Sequence, residues 1–395
     1  MTRRHDIDWL RALLFGLLVL HHVAVGFAPF GAEIYGLVND RLAGDGLSLA
    51  IYFSHSWRLP TLFLIAGLGT WFATGRGAGP GMVGRRLARL LVPALFATFS
   101  LNVIAALATA YGTGEGEAFW AEASDWWLAP QPFQVMHLWF LYNLALYTLL
   151  AWPLFLARNR LGQLVLPPRM LLLTLALAVT SIAVLAKPWG AAIAGDAYQW
   201  PWYLGFFLGG YLIGSQHRHV LNWLARRVYW LIAAGVGLFL AEVGMLASAL
   251  ERDLALGAAL ASGGWAAEGL APAYGPLGLS FVAVEGLNAW AWSLAAVGLA
   301  ARYLNRDGPY RDAISRAVFP VYVLHFPVMF VGLAALTTTA WPWGVDFLLL
   351  TLWTYGVTIA LYALATYTGP FLYLIGGRPA RNVPAVRSAA QPSSS

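Results

Sequence analysis

Apolar residues in this chain come in blocks of about 20, separated by short polar breaks, along nearly its whole length. A block of that length is enough for an α-helix to cross the hydrocarbon core of a bilayer. The pattern therefore predicts an all-α, polytopic bundle of about ten transmembrane helices. The predicted helices lie near residues 10–30, 48–73, 90–111, 136–157, 170–187, 199–215, 228–249, 275–301, 317–337 and 346–374.

The composition belongs to the same class of protein. Apolar residues make up 59% of the 395 residues and charged residues only 11%, far from the average of soluble domains. We therefore expect residues 1–377 to form one membrane domain in contact with the lipid bilayer. Residues 378–395, rich in Pro, Ala and Ser, are expected to form a disordered cytoplasmic tail. The chain has no cysteine, which excludes disulfides and thiolate metal sites.

The net charge of +6 comes mainly from arginines that cluster at every second break between the predicted helices. The positive-inside rule places such clusters on the cytoplasmic side, so ten crossings leave both termini in the cytoplasm. Membrane topology thus explains the positive net charge, and we expect no nucleic-acid partner. The clusters contain Arg3 and Arg4; Arg76, Arg85, Arg86 and Arg89; Arg158, Arg160 and Arg169; Arg218, Arg226 and Arg227; Arg302, Arg306, Arg311 and Arg316; and Arg378, Arg381 and Arg387.

The first predicted helix carries ionisable residues at membrane depth, where they are costly unless they serve a function. Arg11 and His22 are eleven residues apart. At about 100° and 1.5 Å per residue, they lie within about 20° of each other on one helix face, at heights that differ by about 16 Å. His21 points about 100° away, so we expect the two histidines to differ in role. Arg11 alone also fits a topology signal at the interface, whereas His22 should face protein or a water-filled cavity.

The second predicted helix carries Arg58 close to Pro60 and His55. The proline removes a backbone hydrogen bond and favours a kink. If this helix enters from outside, Arg58 lies about 15 Å deep, close to the depth of His22. An arginine there needs an acidic partner, carbonyls, water or an anionic ligand. Two interpretations follow: a structural ion pair with Glu285, or a catalytic arginine.

Histidines also mark the fourth and ninth predicted helices. His137 opens the fourth helix, which predicts a position at the outer surface. His325 lies between two prolines in the ninth, where it either hydrogen-bonds carbonyls that the prolines free or takes part in chemistry. The basic run before the third helix contains Arg85, Arg86 and Arg89, which fit either positive-inside topology or phosphate binding.

The sequence contains no nucleotide-binding loop, HExxH or Cys–His metal pattern, or GxSxG nucleophile elbow. No metal is therefore predicted. Any chemistry falls to histidine with arginine support.

These residues resemble membrane acyltransferase family 3. Arg11, ten intervening residues and His22 match the arginine-to-histidine motif of the family's first helix, and the preceding DIDWLR resembles its Leu-Asp-x-x-Arg opening. The resemblance covers residues 5 to 378. Within the family, HSWR, HLWFL and the GGRPARN-like end are similar to the branch that contains the osmoregulated periplasmic glucan biosynthesis protein C. Further matches along the chain are FSHSWRLPTLFLIAG, RRLARLLVP, HLWFL, FFLGGYLIG and VYVLHFP.

The resemblance implies a multi-pass O-acyltransferase of the bacterial inner membrane. It would move an acyl group, of the acetyl or succinyl class, from cytoplasmic acyl-coenzyme A to a hydroxyl of an extracytoplasmic glycan or lipid-linked carbohydrate. In this interpretation His22 is the general base and Arg58 stabilises the oxyanion, through direct transfer or a short-lived acyl-histidine. Arg11, with Arg85, Arg86 and Arg89, would bind the anionic part of the donor. The candidates on the acceptor side are His55, His137, Glu285 and His325.

Two other classes of protein compete with the enzyme. A transporter or flippase of an anionic or glycolipid substrate would also place charges beside broken helices at mid-membrane. A scaffold or sensor without chemistry leaves the alignment of Arg11 with His22 unexplained. Release of free coenzyme A from acyl-coenzyme A separates the enzyme from both alternatives.

Overall fold

The computed structural model describes residues 4–122, 134–194, 199–252 and 275–378, and every regular element in these ranges is helical. The predicted all-α bundle is thus confirmed. The helices are α1 (His5–Val25), α2 (Gly31–Tyr35), α3 (Asp45–Thr74), α4 (Pro80–Phe96), α5 (Asn102–Gly112), α6 (Gly116–Ala121), α7 (Trp139–Leu150), α8 (Trp152–Leu156), α9 (Arg158–Gln163), α10 (Pro168–Ala194), α11 (Gln199–Ser215), α12 (His217–Arg252), α13 (Gly275–Tyr303), α14 (Arg311–Leu336), α15 (Trp343–Ala365) and α16 (Gly369–Leu374).

Seven helical segments in the described ranges are long and apolar enough to cross a membrane. The three other predicted crossings correspond to α3, to Met136–Leu150 and to α11, which are more polar or shorter. The chain is therefore polytopic, and the count of ten crossings stays a prediction. The seven segments are His5–Val25, Pro80–Gly112, Pro168–Leu185, His217–Ala249, Gly278–Tyr303, Arg311–Leu336 and Trp343–Ala365.

Prolines and glycines move several predicted boundaries. The predicted helix over 136–157 is divided after Leu150, because Pro153 opens the separate helix α8. The predicted helix over 346–374 is likewise two helices, since α15 ends at Ala365 and Gly369 starts α16. A π-helical turn, Ala97–Leu101, joins α4 to α5. Residues 379–395 of the predicted tail lie outside the described residues.

The long helix α3 packs directly against α11 through glycines. A Cβ on Gly67 would lie 1.9 Å from the carbonyl oxygen of Phe207, and one on Gly210 would lie 1.8 Å from that of Leu64. Only glycine permits backbones to approach so closely, as at small-residue crossings of membrane helices. This crossing fixes α3, and with it Arg58, in the centre of the bundle.

Helices α1 and α14 pack side by side and run in the same direction. Arg11 contacts Ser315 near the start of both helices. His22, eleven residues further along α1, contacts His325, ten residues further along α14. Between these two levels the rings of Phe15 and Tyr322 meet edge to face, 5.1 Å apart. The pair therefore joins two polar sites, one at each level.

Candidate active site

His22 and His325 are in direct contact where α1 faces α14. Nδ1 of His22 lies 2.8 Å from Nε2 of His325, and the ring planes are nearly parallel, 9° apart. His325 is fully buried, whereas His22 is only partly buried. Phe326 lies edge-on to His22 at 5.2 Å. The partner of His22 is therefore a second imidazole, which is fully buried.

The hydrogen-bond partners assign the tautomers of these two rings. Nδ1 of His325 lies 2.6 Å from the carbonyl oxygen of Tyr322. A carbonyl only accepts, so this nitrogen carries the hydrogen. Nε2 of the neutral His325 ring is then an acceptor, and Nδ1 of His22 donates to it. Nε2 of His22 is left with a lone pair, which is what a general base needs.

In His21 the hydrogen is on the other ring nitrogen from that in His22, because its hydrogen-bond partner is the hydroxyl of Ser54. Nη1 of Arg58 donates to Oγ of Ser54 at 2.6 Å, and the same oxygen lies 3.2 Å from Nδ1 of His21. The residues that the structure describes offer the Ser54 hydrogen no other acceptor, so Nδ1 of His21 accepts it. The hydrogen of neutral His21 is then on Nε2. The two consecutive histidines thus have opposite tautomers. Of the two, His22 has its basic lone pair on Nε2, whereas His21 has its lone pair on Nδ1.

Arg58 is buried deeply and, within the described ranges, has no carboxylate at ion-pair distance. Its side chain is 1% exposed, and its Nε has no hydrogen-bond partner there. Apart from Ser54, no described residue hydrogen-bonds to it. A buried charge without compensation is costly. Arg58 therefore has capacity to bind an anion or a developing negative charge.

Of the two interpretations of Arg58, the structural ion pair with Glu285 does not form among the described residues. Asn288, one turn along α13 from Glu285, meets α3 at Ser56, with Nδ2 and Oγ 3.4 Å apart. Ser56 points about 200° around α3 from Arg58, so this face of α13 cannot serve the arginine. The nearby Glu242 is also engaged elsewhere, because it accepts hydrogen bonds from Tyr52 at 2.6 Å and from Asn288 at 2.7 Å.

His55 and His137 extend the cluster at its two ends. The ring of His55 lies 5.9 Å from that of His21, with the planes 22° apart, and the side chain is exposed. The ring of His137 lies 5.0 Å from that of His325. Five histidines and Arg58 thus converge from α1, α3, α14 and the start of α7. In the described part of the chain, no three His, Asp or Glu side chains are placed to hold one metal ion.

His137 is buried within the bundle, since only 6% of the residue is exposed, and its level at the outer membrane surface stays a prediction. It lies on a 3₁₀ turn rather than on a regular helix end, and Met136 before it has a φ of +44°, a strained value for a residue with a side chain. Asn102 donates to the carbonyl of Gln134 at 2.6 Å, and Tyr322 donates to that of His137 at 2.5 Å. These bonds hold the turn inward. Both ring nitrogens of His137 lack a partner among the described residues.

A basic cavity of about 270 Å³ lies at the other end of α1. Arg11 reaches it, with Nη2 2.5 Å from Oγ and 3.2 Å from the carbonyl oxygen of Ser315. Four arginines face one carboxylate there, so the cavity suits a ligand with several negative charges. Its lining consists of Asp8, Arg11, Arg89, Ser315, Arg316, Gly376 and Arg378.

Arg85 and Arg86, predicted to join this anion site, do not line the cavity. Both lie within about 60° of Arg89 around α4 but about one turn nearer the start of the helix, whereas the guanidinium of Arg89 reaches α14, where it lies 5.8 Å from the ring of Phe319. Nε of Arg86 donates to Oγ1 of Thr148 at 2.8 Å, and its guanidinium lies 6.0 Å from the ring of Phe207. Arg86 therefore ties α4 to its neighbours.

Arg311 fixes the start of α1 beside the start of α14. Its Nη1 lies 3.0 Å from Asp8, and its Nε 2.7 Å from Asp307. Asp312 completes the set at 3.0 Å. The hydrogen bond from Arg311 lowers the pKa of the exposed Asp307 carboxyl, and the Gly308 amide contributes. This cluster keeps Asp8, and next to it Arg11, at the mouth of the cavity.

Sequence reasoning assigned Arg316 and Arg378 to topology alone. It therefore missed five residues of the cavity lining, which are Asp8, Ser315, Arg316, Gly376 and Arg378. A signal for Ser315 was present. It precedes His325 by ten residues, much as Arg11 precedes His22 by eleven. Two parallel helices with matched spacing bring both pairs to the same levels.

Comparison with protein-family models matches the acyltransferase domain of acyltransferase family 3 over residues 4–366, nearly the whole chain. Searches of curated proteins and of solved structures give no significant match. The match confirms the family resemblance but not the narrower one to the glucan biosynthesis branch. This multi-pass helical chain therefore belongs to acyltransferase family 3, and the protein is a membrane acyltransferase.

Proposed function

We propose that this enzyme transfers an acyl group from cytoplasmic acyl-coenzyme A to a hydroxyl of an extracytoplasmic glycan or lipid-linked carbohydrate. The observation that carries the proposal is the shared helix pair. Helices α1 and α14 hold a basic cavity at Arg11 and Ser315, and a histidine pair at His22 and His325. The two levels are about 16 Å apart. That separation suits a donor with a polyanionic end, an extended arm and a reactive thioester.

The basic cavity is the proposed site for the phosphates of coenzyme A. Arg11 and Arg89 face it from different helices, and Asp8 is the one acidic residue in its lining. Guanidinium groups bind phosphate oxygens through charge-assisted hydrogen bonds, often in pairs. By the positive-inside rule, the same arginines favour the cytoplasmic side for this cavity, and acyl-coenzyme A is made on that side.

The histidine pair is the proposed catalytic centre. Nε2 of His22 takes the proton of the acceptor hydroxyl while that oxygen attacks the thioester carbonyl carbon. Arg58 stabilises the oxyanion that forms on the carbonyl oxygen. When the intermediate collapses, the carbon–sulfur bond breaks and the departing sulfur takes the proton from His22, which gives the ester and free coenzyme A. His325 orients His22 and accepts the hydrogen bond of its Nδ1–H throughout. A short-lived acyl-imidazole on His22 is compatible with the same atoms.

The acceptor is proposed to reach His22 from the opposite end of the helix pair. The exposed His55 and the unpartnered ring of His137 flank the centre and offer hydrogen bonds to hydroxyl groups. Glu285 remains a candidate on this side. The proposed acyl group is of the acetyl or succinyl class, and the proposed location is the bacterial inner membrane.

Thiol release tests this function directly. Purified protein in detergent would be incubated with acetyl- or succinyl-coenzyme A and a glucan or glycolipid acceptor, and free coenzyme A would be followed with a thiol reagent. We expect release that depends on the protein and is lost in His22→Ala. Folded wild-type protein that releases no coenzyme A from either donor would contradict the proposal. A transporter would instead move its substrate across liposomes with His22 replaced.

A further inference from the structure

Helix α16 ends in a Schellman motif, which sets the direction of the chain that follows. The amide of Gly377 donates to the carbonyl of Leu372 at 2.7 Å, and that of Gly376 to the carbonyl of Tyr373 at 2.9 Å. Gly376 has a φ of +76°, in the left-handed region that favours glycine. The turn therefore fixes the backbone at this point.

The same turn is wedged between α14 and α4. A Cβ on Gly376 would lie 2.2 Å from Cε1 of Phe319 and 3.1 Å from Cγ of Pro93. Such distances exclude a side chain, apart from any strain in the backbone. Glycine is thus required at position 376 for two reasons: the backbone has a positive φ, and Phe319 leaves no space for a side chain.

Because of this turn, Arg378 lines the basic cavity together with Arg11, Arg89 and Arg316. The four arginines come from α1, α4, α14 and the segment after α16. The family match ends at residue 366, so Arg378 lies beyond it. An arginine that only marked topology would need neither the glycine turn nor a position in the cavity.

Like charges around one cavity repel one another, and Asp8 offsets only part of that charge. A ligand with two or more phosphates would remove the repulsion. We propose that the Gly376–Arg378 turn is part of the donor site, and that Arg378 binds a phosphate of coenzyme A. This inference rests on the proposed function, since it takes coenzyme A as the ligand of the cavity.

The test is a titration of the full-length protein in detergent with coenzyme A, at low and at high salt. Arg378→Gln is expected to raise the Kd about tenfold at low salt, equivalent to about 1.4 kcal/mol. Arg306→Gln is the matched control. Arg306 is an exposed arginine that also belongs to one of the basic clusters between the predicted helices, but it does not line the cavity. Equal Kd values for Arg378→Gln and wild type would overturn the inference.

Gly376→Ala provides a second, independent variant. It leaves every charge in place but displaces the turn, so we expect weaker binding of coenzyme A in protein that still elutes as a monodisperse peak. Gly79→Ala is its control, since a Cβ there meets nothing within 4 Å. Normal binding by folded Gly376→Ala would also count against the inference. If the wild-type protein itself neither binds coenzyme A nor releases it from a donor, the proposed function fails instead.

Discussion

Nε2 of His325 lies 2.8 Å from Nδ1 of His22, and the other nitrogen of His325 is fixed by the carbonyl of Tyr322. The chain of hydrogen bonds runs in one direction and ends at the lone pair on Nε2 of His22. A carboxylate in place of His325 would bring a buried charge, whereas an imidazole orients the base without one. His325 is thus a positioning residue in the proposed mechanism.

We predict that His325→Ala lowers kcat about 10²-fold, at the lower end of what a general base contributes, because His22 loses its fixed tautomer. The KM for the acyl donor should change little, since the basic cavity is about 16 Å away. His325→Gln should recover part of the activity through its amide oxygen. Steady-state kinetics on matched amounts of folded protein give kcat and KM for wild type, His325→Ala and His325→Gln. An unchanged kcat in His325→Ala would contradict the orienting role.

The two neighbouring histidines should respond differently to substitution. His22→Ala is expected to lower turnover about 10²- to 10⁴-fold, because the base is lost. His21→Ala should leave much of the activity, since Nδ1 of His21 only accepts from Ser54. Rates of coenzyme A release from the two variants decide this. Similar losses in both would show that the assigned tautomers do not govern catalysis.

The sequence predicted the helical class and the common face of Arg11 and His22, because both depend on local periodicity. It did not predict the burial of His137, which depends on Asn102 and Tyr322, residues distant in sequence. Nor did it predict the surroundings of Arg58. Whether a carboxylate meets Arg58 depends on the rotation of the neighbouring helices, and this is set by packing rather than by hydrophobic pattern.

Arg58 should show a loss of function without a loss of stability. Arg58→Gln removes a buried charge that has no carboxylate partner in the described structure, so the melting temperature should not fall. Turnover should drop about 10²- to 10³-fold if Arg58 stabilises the oxyanion. Arg58→Lys should recover activity only in part, because it lacks the planar fork.

Glu285→Gln provides the control for Arg58. Since no Arg58–Glu285 pair forms, adding Glu285→Gln to Arg58→Gln should restore nothing. Thermal melts and turnover of both single variants and the double variant are the measurements. Recovery of activity in the double variant would return Arg58 to a structural role.

The proposed direction of transfer depends on topology. The predicted ten crossings, with the arginine-rich breaks inside, would place both termini in the cytoplasm. A carboxy-terminal reporter that is active only in the cytoplasm should therefore be active, and one that is active only outside should be silent. The reverse result would put the basic cavity on the outer side and remove the argument for a cytoplasmic donor.

Arg86 and Arg89 are one turn apart on α4, yet the structure gives them different surroundings. Arg89 lines the basic cavity, whereas Arg86 bonds to Thr148 at 2.8 Å and packs near the ring of Phe207. Arg89→Gln should therefore raise the KM for the acyl donor about tenfold, as expected for one lost charge-assisted contact. Its melting temperature should stay near that of the wild type.

Arg86→Gln should behave in the opposite way. Loss of its hydrogen bond should destabilise the fold by about 1–3 kcal/mol, while the KM measured at a temperature where the variant is folded stays near the wild-type value. Thr148→Val, which removes the same hydrogen bond from the other side, should reproduce the destabilisation. If Arg86→Gln instead raised the KM as much as Arg89→Gln without changing the melt, both arginines would bind the donor, and the anion site would extend along α4 beyond the cavity.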